Sequence, residues 1–340
     1  MTGVLEDEEL APLRRVRPVI GWAVVGAVFS ALGLALFVAW LVSGDAHAVD
    51  TGADRVPALT WGLVIAFQAT AVLGALWAIA HAVRTSRAQG RLSLDAMIVI
   101  GWALAWWHDP IIGWLRPTVF YNAAYVNLGS WTGQIPGWVS PNSRYLPEPI
   151  LGIGAIYLSL ALGFGMLGCA VMRAVRQRRP SVGPVGLVLC AFVVIFIGEF
   201  LTELLVITTH AIGYPSSIPS LTLFAGTTHQ VPVYEQVLWS AVLTATAALR
   251  YFTGPDGRSG VERGIDRVKA GPRLRSLICL LAVTGFVNVT CVTYDVAMVF
   301  TSIYAGHTQL YPTYLRTHQC GPGTSVACPG PGVPITRGGS

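Results

Sequence analysis

Seven stretches of this chain, at 19–42, 59–83, 94–115, 149–172, 185–209, 232–252 and 276–303, are predominantly apolar. Each is about as long as the 20 residues a helix needs to cross a hydrocarbon layer of about 30 Å. In such a layer every backbone N–H and C=O must be paired within the segment, so runs of this length predict helices. Only 11% of the residues are charged and 53% are hydrophobic, with a mean hydropathy of +0.59. A soluble domain would carry about 25% charge, and a disordered chain would lack the aromatic content. The expected fold class is therefore all-α, a polytopic membrane bundle of seven transmembrane helices.

The basic residues orient it. Arg14, Arg15 and Arg17 precede the first stretch; Arg84, Arg87 and Arg91 follow the second; Arg173, Arg176, Arg178 and Arg179 follow the fourth; seven Lys or Arg occupy 250–275. Arg55, Arg116, Arg144, Arg316 and Arg337 are left for the intervening segments. The positive-inside rule then places the N-terminus in the cytoplasm and the C-terminus outside, in the plasma membrane. This divides the chain into a cytoplasmic tail (1–18), a membrane domain (19–303) with an outer loop at 116–148, and an extracytoplasmic tail (304–340). The net charge of +5 is a topology signal and implies no nucleic-acid partner. The first stretch, at 24 residues, exceeds the apolar core of a signal peptide, so a retained helix is expected despite Ala46-His47-Ala48.

Charged groups inside a span cost about 2.5–3.5 kcal/mol each at the bilayer centre on insertion scales. Asp109, Glu199, Glu203, Glu235 and Asp295 all fall within the expected spans, toward their outer ends, with no Lys or Arg among them. At least one is expected to keep its proton at neutral pH, since burial and mutual repulsion both oppose ionisation. Glu199 and Glu203 are stacked one turn apart, with His210 further along that face. Asn288, Cys291 and Asp295 share a face of the last span. Gln68 and His108 reach similar depth. Single polar residues often serve only to join helices; the group together points to a polar pocket between spans 2, 3, 5, 6 and 7. Glu235 could instead sit at the membrane interface, and Asp95 reads as a first-turn helix acid.

The outer loop at 116–148 holds Phe120, Tyr121, Tyr125, Trp131, Trp138 and Tyr145, with four prolines. It reads either as an interfacial aromatic segment or as a lid whose Asn122, Asn127 and Gln134 contact a ligand. Cys320 and Cys328, in the outer tail, are expected to form a disulfide. Apart from that bridge, the Gly- and Pro-rich stretch 321–340 has little with which to build a core.

Missing residues exclude several membrane chemistries. Lys269 is the only lysine and lies between spans, which rules out a retinal Schiff base in the last helix. No Asp-rich diphosphate motif, His-x-x-His or His-x-x-x-His pair, Gly-x-Ser-x-Gly elbow or phosphate loop occurs. Carboxyls, imidazoles, amides and tyrosines remain, a set suited to acid–base chemistry without cofactor or metal.

Two segments are distinctive. One is Trp107-His108-Asp109-Pro110, continuing through Tyr121-Asn122 and Asn127-Leu128-Gly129-Ser130-Trp131 to Ile135-Pro136-Gly137-Trp138. The other is Tyr311-Pro312-Thr313-Tyr314-Leu315-Arg316, followed by Cys320-Gly321-Pro322-Gly323-Thr324 and Ala327-Cys328-Pro329-Gly330-Pro331. Both resemble the AveC-type spirocyclases of actinobacteria, and with length and span pattern the resemblance covers about 19–335. It implies closure of a dihydroxy ketone into a spiroketal, sometimes with dehydration, as in avermectin-like and meilingmycin-like macrolide biosynthesis. It supplies no substrate and no residue roles.

From the residues themselves, Glu199 and Glu203 are expected to be the core acid–base pair, with Asp109 and Asp295 as partner or second base. Substrate contacts are expected from His108, Trp107, Tyr121, Asn122, Asn127, His210, Glu235, Asn288, Tyr294 and Gln68. Trp106, Trp107 and Tyr294 are candidates to shield a cation. Partners are the lipid bilayer and a lipophilic small molecule. Two rival readings share this equipment: an isoprenoid carbocation cyclase, and a proton-coupled carrier or receptor for a lipophilic small molecule.

Overall fold

The computed structural model of the protein describes residues 17–140 and 142–332. Arg14, Arg15, the rest of the N-terminal tail up to residue 16, Pro141 and Arg337 lie outside the described residues. Among the described residues, five helices are long and apolar enough to cross a membrane: α1 (Pro18–Ser43), α2 (Ala58–Gln89), α4 (Ala155–Arg178, extended at its start by a wider turn from Ile150), α5 (Pro184–Thr208) and α7 (Pro272–Ser302). Between them run α3 (Leu94–Ala103) and α6 (Val233–Tyr251). Pro18, Pro184 and Pro272 occupy the first turns of α1, α5 and α7, where a missing N–H costs nothing. Gly44 and Gly90 end α1 and α2 at positive φ.

The third stretch departs from expectation. A continuous span over 94–115 is not formed: the α-helix stops at Ala103 and the chain continues as a tighter 3-10 segment, Trp106–Gly113. Pro110 lies inside it. A proline there has no N–H for the carbonyl four residues back, and its ring crowds that carbonyl, so an α-helix cannot be continued regularly through 106–110. Asp95 sits in the first turn of α3 as expected, but it also bonds Arg250 at 2.7 Å and His81 at 2.8 Å, joining α3 to α6 and α2.

α1 packs along α7, and α4 lies among α2, α3, α5 and α6. The α1–α7 approach is backbone on backbone: a Cβ on Gly26 would fall 1.9 Å from the Leu281 carbonyl oxygen, and one on Gly285 2.3 Å from that of Trp22. Small residues at such crossings let two helices gain van der Waals contact where the apolar surroundings supply no driving force. α5 turns Val185, Leu189, Val193, Ile197, Leu201 and Leu205 outward, all more than half exposed. That four-residue spacing marks a lipid-facing stripe.

The segments 116–149, 209–232 and 304–332 form a cap at one end of the bundle. β1 (Phe120–Tyr121) pairs antiparallel with β2 (Ile212–Gly213), while β3 (Thr222–Leu223) pairs with β4 (Val231–Pro232) ahead of α6. The tail folds back over them: Tyr311, Tyr314 and Leu315 are buried, the last two in the short helix α8 (Thr313–Arg316). Arg116, 1% exposed, donates to the carbonyls of Gly306, Pro329 and Gly330. Cys320 and Cys328 are bonded. The tail therefore shares a core with 116–148 and does not have to build its own.

Candidate functional site

A narrow cavity of about 90 Å³ lies beneath this cap among α2, α4, α5, α6 and α7. Its wall carries four carboxyl groups from three segments: Asp109 from the 3-10 turn, Glu199 and Glu203 from α5, and Glu235 from α6. Among the described residues, no Lys or Arg lines it. Three of the four are held by tyrosine hydroxyls. Asp109 accepts from Tyr121 and Tyr157, each at 2.7 Å; Glu203 accepts from Tyr214 at 2.8 Å; Glu235 accepts from Tyr294 at 2.8 Å and from the Gln236 amide. Glu199 has no such partner, and one oxygen each of Glu199 and Glu203 is buried without a hydrogen bond. Buried carboxyls oriented in this way can give or take a proton without reorganising solvent.

Local structure explains the convergence. Glu199 and Glu203, one turn apart, present the same face of α5. The tight winding of 106–113 turns Asp109 toward the tyrosines of β1 and α4. Glu235 stands in the first turn of α6 and is 3% exposed, so it is a cavity residue and not an interfacial one.

Asp295 is elsewhere. It is 1% exposed and faces His108, with Nδ1 and the carboxylate 3.2 Å apart, behind Asp109 and outside the cavity wall. Its neighbour Tyr294 does reach the cavity, since consecutive helical residues point about 100° apart. His108 is likewise buried away from the cavity. Trp107 rests on Gly33 of α1 and donates to Asn288, which donates to the Thr284 carbonyl. Trp106 packs with Phe37 and Trp131. The remaining expected contacts fasten the cap instead of facing the cavity. Asn122 bonds the His210 carbonyl and the Ala124 N–H; Asn127 bonds Val49 and nearby carbonyls; Gln68 accepts from the Val126 N–H; Gln134 bonds Asp45; the His210 ring stacks on His229. Irregular backbone packed against protein needs such partners for its N–H and C=O groups.

Four residues escaped the sequence reading: Tyr157, Tyr214, Trp239 and Glu148. Tyr157 and Trp239 are single aromatics inside apolar spans and Tyr214 lies in a connecting segment, so none stands out in sequence, and Glu148 looks like one loop charge between Pro147 and Pro149. In the structure Glu148 is 1% exposed. Burial, and then the Asp109 carboxyl beside it, push its carboxyl well above the ordinary range. The same two causes raise the Tyr121 phenol. A carboxyl raised on folding holds a proton that the unfolded chain releases, so its contribution to stability is present below the ordinary carboxyl pKa and lost as pH rises. The unfolding midpoint is expected to fall as pH rises above the ordinary carboxyl range, and Glu148→Gln should flatten that dependence. Equal slopes in both proteins, followed by thermal unfolding in detergent, would show Glu148 ionised in the fold.

Fold and cavity define a helical membrane protein with a carboxyl- and tyrosine-lined chamber. The family model described as "Spirocyclase AveC-like" matches residues 89–319, and the chain belongs to that family. The match takes in every cavity residue named above, while α1 and almost all of α2 precede it. Searches of curated proteins and of solved structures found no match. Family membership supports a spirocyclase role and marks the protein as an enzyme.

Proposed function

We propose that the protein is a membrane-embedded, cofactor-free spirocyclase that closes a lipophilic dihydroxy ketone of polyketide type into a spiroketal by carboxyl acid–base catalysis. The observation that carries this reading is the convergence of Asp109, Glu199, Glu203 and Glu235 on one largely apolar cavity with no Lys or Arg in its wall among the described residues. One hydroxyl of the substrate adds to the ketone to give a hemiketal. A protonated carboxyl donates to the hemiketal hydroxyl, the C–O bond breaks and water leaves, generating an oxocarbenium ion. The second hydroxyl attacks that carbon and gives its proton to a neighbouring carboxylate, so protons balance and one water is lost. Glu203 and Asp109, each fixed by tyrosine, are assigned this exchange, with Glu199 and Glu235 as neighbours that keep the group's proton count. Tyr294 and Trp239 face the cationic carbon. Asp295 and His108 back Asp109 from behind.

In this reading α3 with its 3-10 extension and α6 complete seven passes, with the N-terminus cytoplasmic and the cap and tail on the outer face of the plasma membrane. Feeding a dihydroxy ketone to the purified protein and weighing the product tests the reaction. The expected product has lost one water. A product of unchanged mass from an alkene or epoxide substrate would favour a carbocation cyclase, and proton-driven flux in proteoliposomes without product would favour a carrier.

A further inference from the structure

We propose that the cavity is filled sideways from the bilayer, through a portal between α2 and α5, by an amphiphile that enters polar end first and leaves an apolar arm in the lipid. This rests on the reading of the cavity as the reaction chamber. The outer end is closed by Val119, Tyr121, Ile212 and Tyr214 of the β1–β2 region. That ribbon is sealed by Tyr311, whose hydroxyl donates to the Tyr214 carbonyl and whose ring lies where a Cβ on Gly213 would sit, at 2.5 Å. The inner end is closed by Trp102, Tyr157 and Trp239, whose ring centroids are 5.5–5.8 Å apart.

The side is open. α2 and α5 both pack on α4 but scarcely on each other; near the cap, Thr60 of α2 donates to the Thr209 carbonyl just beyond α5, at 3.0 Å. Below that tie the cavity wall includes half-buried Phe67 and Leu160 and exposed Thr202. Thr202 lies six residues before the end of α5, about 9 Å along the helix axis. It sits beside Leu201 and Leu205 of the lipid-facing stripe. The opening therefore meets acyl chains and not water. Exposure falls along the cavity: Phe67, Leu160 and Thr202 are reached from the side and Glu203, next to Thr202, is half-buried, while Glu199, Asp109, Glu235 and Tyr294 are buried. A ligand matching this gradient carries its hydroxyl and keto groups at the leading end, and its chain trails between α2 and α5.

The test is photocrosslinking in phosphatidylcholine–phosphatidylglycerol nanodiscs, with a long-chain dihydroxy ketone bearing a diazirine at the end of its alkyl arm. Adducts mapped by mass spectrometry are expected in α2 around Phe67 and in α5 at 201–206. Thr202→Trp and Leu160→Trp should each lower their yield at least fivefold, and Leu41→Trp on the outward face of α1 should not. Size-exclusion elution checks that each variant folds, and the wild-type map stands without them. Adducts on 116–148 or 304–332, no adducts, or yields indifferent to both portal substitutions in folded protein would overturn the side route. Crosslinking needs no turnover, so portal adducts without a water-loss product would refute the spirocyclase reading and leave the route standing. Cap adducts with normal turnover would do the reverse.

Discussion

Asp109→Asn and Glu203→Gln are each expected to lower spiroketal formation by about 10² to 10⁴, the range that a positioned proton donor or acceptor contributes, while leaving folded yield within about twofold. Glu203→Gln keeps an oxygen to accept from Tyr214; Tyr121 and Tyr157 bond different oxygens of Asp109, so Asp109→Asn keeps one acceptor and turns its amide N–H toward the other hydroxyl, which must rotate to accept. Glu199→Gln should cost less, because no side-chain donor fixes that group in a reacting pose. Asp295→Asn separates two roles. A group in the reaction would lose as much as Asp109, whereas a group that backs the site through His108 should lose mainly affinity or stability. Mass-spectrometric product quantification on purified variants decides both points, and unchanged turnover in Asp109→Asn and Glu203→Gln would remove the proposed exchange.

The largest effect on the fold is expected at the α1–α7 crossing. Gly285→Val places a branched side chain against the Trp22 carbonyl and the Gly26 backbone. No rotamer relieves a clash with backbone, so the helices must part. The cost should reach about 3 kcal/mol, the upper part of the overpacking range. Gly21→Ala, on α1 with open space around it, should be neutral. Unfolding midpoints in detergent compare the two. An unshifted Gly285→Val midpoint would mean that α1 does not dock where described.

Much of this was legible in sequence because the bilayer imposes a length and a polarity. The ends of α1, α5 and α6 fall within a residue of the hydropathy boundaries, and an acid in an apolar run stands out wherever the helix puts it. The rest depends on quantities a linear pattern does not carry. An apolar count over 94–115 is blind to Pro110, which converts the second half of that stretch into a 3-10 turn. Helix rotation decides that Tyr294 meets the cavity while Asp295 meets His108. His210, Asn122 and Asn127 share the right depth, but the cap's backbone groups claim their neighbourhood. Glu148 reaches Asp109 only because 147–149 folds inward, which no spacing rule anticipates.

A structure of the protein with a spiroketal product bound tests the convergence of acids most directly. The account predicts the product in the chamber between α4, α5 and α6, its ketal oxygens within hydrogen-bonding distance of Asp109 and Glu203 and its alkyl arm directed between α2 and α5. Product seated on the outer surface of the cap, or in the chamber with its ketal oxygens turned away from every carboxyl, would contradict it.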